Sequence, residues 1–302
     1  MSEHRVLLIE HPAYLSVDLG RLRIRREGHD DAFVLPEDIA VLCLHHHTVT
    51  LTVHVLRAMA EAGAMVLVTD EYHQPCAMQW PYLGKTQIVQ RLRQQIALPE
   101  NQRDALWATI VSAKIDRQAA NLRCLGLKGG LRLERLAKQV QPADASNLEG
   151  QAARVYWKCL FGDNFTRRKQ GATDKLNAML NFGYAVLRSL IARELSMAGL
   201  NPALGLGHVN TENPFNLADD FIEPYRCGVE KRVFAIHANH AEFDGACRLD
   251  LLGFMKEEIP MNRQNYRLPS AIAETIGSFC RILERGKGEL SLPSFSLHHE
   301  KA

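Results

Sequence analysis

The stretch from Gly205 to Arg226, GLGHVNTENPFNLADDFIEPYR, gathers residue types that hold cations. His208 sits in a glycine-rich turn, and Asp219, Asp220 and Glu223 follow in a short amphipathic segment. Helical spacing of three puts Asp220 and Glu223 on one face. Three acids within five residues repel one another unless a cation neutralises them. Arg226 is one candidate neutraliser and a metal ion is another. A turn histidine aimed at a carboxylate-bearing helix is half of a metal site, so the other half must come from elsewhere in the chain.

Several other groups compete for that role. Ser146-Asn147-Leu148-Glu149 opens a predicted helix that continues through Ala152, Ala153, Tyr156 and Trp157. Ser-x-x-Glu is a capping box, in which Ser146 caps the helix and Glu149 folds back on its first amides for about 1 kcal/mol. Glu149 also carries a carboxylate that can face a cleft. His45-His46-His47 would alternate across the faces of a strand, so the three cannot share one metal and read as structural. His237 and His240, with Asp244 beyond them, form a weaker cluster for which ordinary hydrogen bonding is the simpler account. The seven cysteines are scattered without a C-x-x-C pair, which argues against a zinc knuckle or a disulfide framework. No Ser–His or Cys–His arrangement points to a covalent nucleophile.

Basic residues mark a possible polyanion surface. Arg167-Arg168-Lys169 lies at the centre of a polar loop, Phe161–Lys175, which is a solvated surface or a set of phosphate contacts. Arg21, Arg23 and Arg25 would line one face of a strand. Residues 1–84 hold 6 Lys and Arg against 11 Asp and Glu, and residues 85–302 hold 30 against 23, so an acidic part (−5) precedes a basic one (+7). A basic domain is a candidate for binding a polyanion.

The elements that must position these residues fall into two blocks. The chain has 302 residues, 46% of them hydrophobic and 23% charged, enough for one large or two medium domains. Its N-terminus lacks the features of a secretory signal and no apolar run approaches a membrane span, so a cytoplasmic protein is expected. Short apolar or alternating runs predict strands at 5–10, 14–19, 22–26, 32–35, 39–44, 64–69 and 75–79, with one helix over 50–62 that Gly63 stops. From Lys85 onward helical patterns dominate: 85–98, 102–125, 129–140, the helix containing Glu149, 174–199 as the expected central helix, the acidic segment with Asn213 as N-cap, 249–255 and 270–283. The expected fold is therefore α+β: a small N-terminal β-domain with one helix (1–84), pairing through its sheet edges as a dimer, and a larger all-helical catalytic domain (85–302).

The ordered motifs NLEGQAARVYW, GLGHVN and NLADDFIEPYR, behind a small β-domain, resemble the CRISPR-associated endonuclease and integrase of spacer acquisition, in its type II form. The resemblance implies Glu149, His208 and Glu223 as catalytic metal ligands, with Asp220 as an additional ligand and Asp219 its alternative. Relatives often carry aspartate where this chain has Glu223. Carboxylates with one imidazole suit Mg²⁺ or Mn²⁺. The implied reaction is attack of a prespacer 3′-hydroxyl on a repeat phosphodiester of the CRISPR array, without a covalent protein intermediate. The implied partners are a second copy of the chain, a small ferredoxin-like companion protein flanked by two such dimers, and duplex prespacer and repeat DNA, which Arg167, Arg168 and Lys169 would contact. In type II systems an RNA-guided nuclease and a further acquisition factor assist. Two competing readings are a non-catalytic nucleic-acid scaffold with a structural acidic cluster and a metal-dependent hydrolase of a small molecule.

Overall fold

The computed structural model describes residues 5–70, 75–79, 87–169, 171 and 173–294. The chain forms two compact units, Met1–Ile88 with Ala185–Leu200 and Val89–Tyr184 with Asn201–Ala302. The boundary expected at 84/85 lies outside the described residues.

The first unit contains β1 (Arg5–Ile9), β2 (Tyr14–Asp18), β3 (Arg21–Arg25), β4 (Ala32–Val34), β5 (Ile39–Leu44), β6 (Thr50–Leu51), α1 (Val53–Glu61), β7 (Met65–Thr69) and β8 (Pro75–Gln79). One sheet has the order β1-β5-β7-β8, parallel across its first three strands and antiparallel at β8. The central strand β5, IAVLCL, is apolar throughout and almost wholly buried, as expected of a parallel strand covered on both faces. The second sheet has the order β4-β3-β2-β6. Here the sequence alternates: Leu22 and Ile24 point inward from β3, and the arginines between them point outward. Ile9, Leu15, Leu22, Ile39, Leu42, Val55 and Met59 join both sheets and α1 in one core. The arginine face of β3 is neutralised locally. Arg23 and Arg25 pair with Asp31, and Arg21 lies 4.5 Å over the Phe33 ring.

The second unit contains α2 (Ile88–Ile96), α3 (Glu100–Cys124), α4 (Gly130–Ala137), α5 (Leu148–Phe161), the start of α6 (Lys175–Met197), α7 (Asn216–Ile222), α8 (Arg226–Ile236) and α9 (Gly245–Leu251). It ends with β9 (Glu258–Met261), β10 (Gln264–Arg267) and α10 (Leu268–Arg285). The β9–β10 antiparallel hairpin corrects the expectation of an all-helical domain. Asn262 and Arg263 turn it with positive φ, a conformation that side-chain periodicity does not reveal.

α3 is a hub of this unit, and the 174–199 helix, expected to be central, is buried along much of its length between Met179 and Leu195. α3 packs against α4, α5, α7 and α8, whereas α6 leaves this unit at Tyr184 and continues from Ala185 in the first unit. There Arg193 Nε donates to the Gly63 carbonyl at 2.5 Å. Within the helical unit, Gly183 allows close packing as expected, because a Cβ there would stand 2.4 Å from Val229 Cγ1.

Candidate active site

Glu149 is delivered by an unusual turn. Ala143, Asp144 and Asn147 all have positive φ, which aspartate and asparagine tolerate better than most residues. The turn places the Asp144 carboxylate where it accepts from the amides of Leu148 (2.8 Å) and Glu149 (3.0 Å). Asn147 is the N-cap, its side-chain oxygen accepting from Gly150 N at 3.1 Å. The expected capping box is therefore corrected: neither Ser146 nor the Glu149 carboxylate caps α5. Released from that task, Glu149 Oε1 accepts from Lys114 Nζ at 2.6 Å.

Glu223 follows α7 directly. Pro224 has no N–H for the Asp220 carbonyl, so the chain tightens into a 3-10 turn over Glu223–Tyr225. α7 itself begins at Asn216, not at Pro214, and Asn213 supports the preceding loop by accepting from Phe215 N and donating to Asp219. Glu223 is 2% exposed. Its Oε1 pairs with Arg226 at 3.0 Å and its Oε2 lies 2.6 Å from Lys114 Nζ. Both Glu223 oxygens therefore face a cationic side chain. Burial opposes ionisation of Glu223, but Arg226 and Lys114 outweigh it and hold the carboxyl at about 2.

Since Glu149 Oε1 and Glu223 Oε2 are each 2.6 Å from one nitrogen, they lie no more than 5.2 Å apart, twice that distance. The same two carboxylates keep Lys114 charged against its burial, raising its pKa. Lys114 was not among the expected site residues. Its signal is a polar stripe, Lys114, Gln118 and Asn121, all buried and spaced four and three along α3.

Asp220 does different work from that expected of a metal ligand. It is fully buried, and four donors meet its two oxygens. Oδ2 accepts from the amides of Leu206 and Gly207, and Oδ1 accepts from His208 N at 3.0 Å and His208 Nδ1 at 2.7 Å. Three successive amides thus fold the glycine-rich turn around one carboxylate. A carboxylate can only accept, so Nδ1 carries a proton, and in the neutral imidazole Nε2 is the nitrogen with the lone pair. The hydrogen bond to Asp220 raises the His208 pKa, against a lowering by burial. The Trp107 ring meets His208 edge-on at 5.5 Å. Gly207 is needed for that approach, since a Cβ there would stand 2.2 Å from the indole. His208 also faces a cleft of about 510 Å³ lined by Gln95, Arg103, Asn210 and Asn213.

The structure brings Glu149 and Glu223 onto one cation. His208 and Glu223 feel each other's charge. Among the described residues no three His, Cys, Asp or Glu side chains converge closely enough to hold an ion. The donor set of two carboxylates and an imidazole suits Mg²⁺ or Mn²⁺, and the Lys114 ammonium stands as a cation between the carboxylates. The residues therefore fit a metal in chemistry, with an ammonium stationed between two of them.

The basic triplet divides. Arg167 folds inward: its guanidinium donates to Asn177 at 3.0 Å and lies 5.3 Å over the Tyr184 ring. Arg226 occupies a similar position 4.7 Å from the same ring, and Tyr184 donates to Glu230 at 2.6 Å. Arg167 is half-buried, with Nη1 donating to Asn177 and to the Arg168 carbonyl. Arg168 and Lys169 are exposed. The His237/His240 cluster does not form: His240 pairs with Asp250, and Asp244 caps α9 by accepting from Cys247 N.

The sequence model of CRISPR associated protein Cas1 matches residues 6–245. The chain belongs to the Cas1 family. It is 36% identical over 294 residues to the CRISPR-associated endonuclease Cas1 of Neisseria meningitidis serogroup C (strain 8013), covering 96% of this chain and 95% of that one. Among solved structures, a casposase bound to integration product has a TM-score of 0.82 at 18% identity, over 99% of this chain and 96% of that one. A chain of a Cas6-RT-Cas1–Cas2 complex has a TM-score of 0.75 at 16% identity, over 95% of this chain and 36% of that longer one. These structural likenesses establish that the chain has the Cas1 fold. No helix among the described residues is long and apolar enough to cross a membrane.

Proposed function

We propose that the endonuclease and integrase role of this Cas1-family chain in CRISPR adaptation is metal-dependent, and that Glu149, His208 and Glu223 carry it. The observation that supports this most directly is the convergence of Glu149 and Glu223 on one cation. His208, with its proton held at Nδ1 by Asp220, offers a lone pair at Nε2. When bound, Mg²⁺ or Mn²⁺ supplies Lewis-acid stabilisation of charge on a phosphodiester. The protein supplies the rest. Glu149 and Glu223 contribute oxygen ligands, Asp220 fixes the imidazole, and the cleft beside His208 is large enough for a nucleotide-sized group. In the reaction a prespacer 3′-hydroxyl oxygen attacks a repeat phosphodiester. One P–O bond forms, one breaks, and the expelled 3′-oxygen takes up a proton.

The casposase likeness supports DNA as the substrate, and the Cas1–Cas2 likeness supports a small companion protein as partner. In this reading the chain acts as a homodimer, two dimers flank a ferredoxin-like companion dimer, and the assembly works in the cytoplasm. Arg168 and Lys169 are its exposed phosphate contacts; Arg167 supports them from beneath.

The test is integration of a labelled prespacer into a repeat-carrying plasmid, with companion protein, and with Mn²⁺, Mg²⁺ or EDTA. Alanine at Glu149, His208 or Glu223 should abolish strand transfer while DNA binding persists. Strand transfer that survives in all three variants, or in EDTA, would refute the proposal and favour the scaffold reading.

A further inference from the structure

Lys114 is absent from the ligand set yet lies at its centre. It projects from the middle of α3, its side chain 9% exposed. A buried ammonium is costly to desolvate unless it is fully paired. Here it is paired with two carboxylates from separate elements, one at the start of α5 and one in the turn after α7, each at 2.6 Å. With Arg226 on the other oxygen of Glu223, the two carboxylates meet two cationic side chains. Arg226, held over Tyr184, pairs with Glu223 Oε1, whereas Lys114 bridges Glu223 Oε2 and Glu149. The ammonium stands where a metal ion would, a point charge between two carboxylate oxygens.

We infer that Lys114 is the resident cation of the metal-free site: its ammonium holds Glu149 and Glu223 together, and a divalent ion binds by displacing it. This inference rests on the metal-dependent reading above. The physical basis is simple exclusion. A divalent ion bound to these two oxygens would stand within a few ångströms of the ammonium, and two cations that close repel strongly in a buried site. Lys114 is thus a positioning residue that sets metal affinity by competition. It also explains how the buried Glu223 and the half-buried Glu149 coexist before metal arrives.

The experiment compares the full-length chain with Lys114→Met, which keeps a flexible side chain and removes the charge. Mn²⁺ binding is read by calorimetry and by the electron paramagnetic resonance of free Mn²⁺. Thermal melting is followed in EDTA and in saturating Mn²⁺. K114M should melt lower than wild type in EDTA, bind Mn²⁺ at least about tenfold more tightly, and gain more in melting temperature when Mn²⁺ is added. Binding equal to or weaker than wild type overturns the inference while leaving the metal-dependent reading intact. If neither protein binds Mn²⁺, the metal-dependent reading fails and takes this one with it. A measurement on wild type alone guards against misfolding of the variant. Acylation of Lys114, followed by mass spectrometry, should rise severalfold on saturation with Mn²⁺. Unchanged labelling of a Mn²⁺-saturated chain would overturn the displacement.

Discussion

Replacing Asp220 with asparagine separates a positioning role from a ligand role. The wild-type carboxylate accepts from the amides of Leu206, Gly207 and His208 and from His208 Nδ1. Asparagine keeps one acceptor oxygen and turns the other into a donor. If the NH₂ replaces Oδ2, two buried backbone N–H groups lose their acceptor. If it replaces Oδ1, only His208 N–H is orphaned, because the imidazole can shift its proton to Nε2 and accept at Nδ1. The second arrangement is cheaper and should be adopted. Its cost is one orphaned N–H, about 1–3 kcal/mol, plus the lost charge on the two remaining bonds, roughly 1 kcal/mol in total. The expected loss of stability is therefore about 2–4 kcal/mol, read by urea denaturation in EDTA. The tautomer shift also puts a proton on the nitrogen needed for metal, so Mn²⁺ affinity should fall about 10–100-fold by calorimetry. A variant within about 0.5 kcal/mol of wild type, the range of an ordinary surface change, with unchanged Mn²⁺ affinity would refute the argument.

Gly207→Ala places a Cβ against the Trp107 ring and should cost about 1–3 kcal/mol in thermal or urea melts; a neutral result would mean that the turn and indole separate freely. The exposed pair Arg168→Ala with Lys169→Ala should weaken DNA binding and flatten its salt dependence, by up to about 0.9 in log–log slope per lost phosphate contact. Arg167→Ala should instead lower stability, since it removes the Tyr184 and Asn177 contacts, and salt titrations of DNA binding distinguish the two. The pH dependence follows from Glu223, whose folded value is about 2 against an ordinary 4.5. A depressed carboxyl stabilises the fold fully above its unfolded value, and that contribution drains away as pH falls from 4.5 towards 2. Glu223→Gln should remove this part of the acid slope in urea melts between those limits; an unaltered slope would place the acid sensitivity elsewhere.

The chain's sequence by itself determined what depends on local pattern. The strands of the first unit were legible because alternation and short apolar runs report burial on one or two faces, and β1 through β8 fall close to the predicted runs, apart from the two-residue β6. Glu149, His208 and Glu223 stand out in the sequence because their motifs are short and ordered, and all three lie within the span of the Cas1 match. What tertiary structure decided is where long-range contacts assign the work. Asp220 and Glu223 look alike on a helical wheel, but only packing shows that one receives three backbone amides and the other two cationic side chains. Asn147, not Ser146, caps α5 because Asp144 and Asn147 adopt left-handed conformations that sequence spacing does not signal. Arg167 and Arg168 are neighbours in a basic triplet, yet one is drawn under Tyr184 and the other left exposed. Lys114 is the clearest case. A lysine within a helix reads as solvated surface, and its meaning appears only when two carboxylates, 35 residues away (Glu149) and far beyond (Glu223), close around it. Charge pairing across such separations is a property of the fold, since no local periodicity encodes which buried acid will meet which buried base.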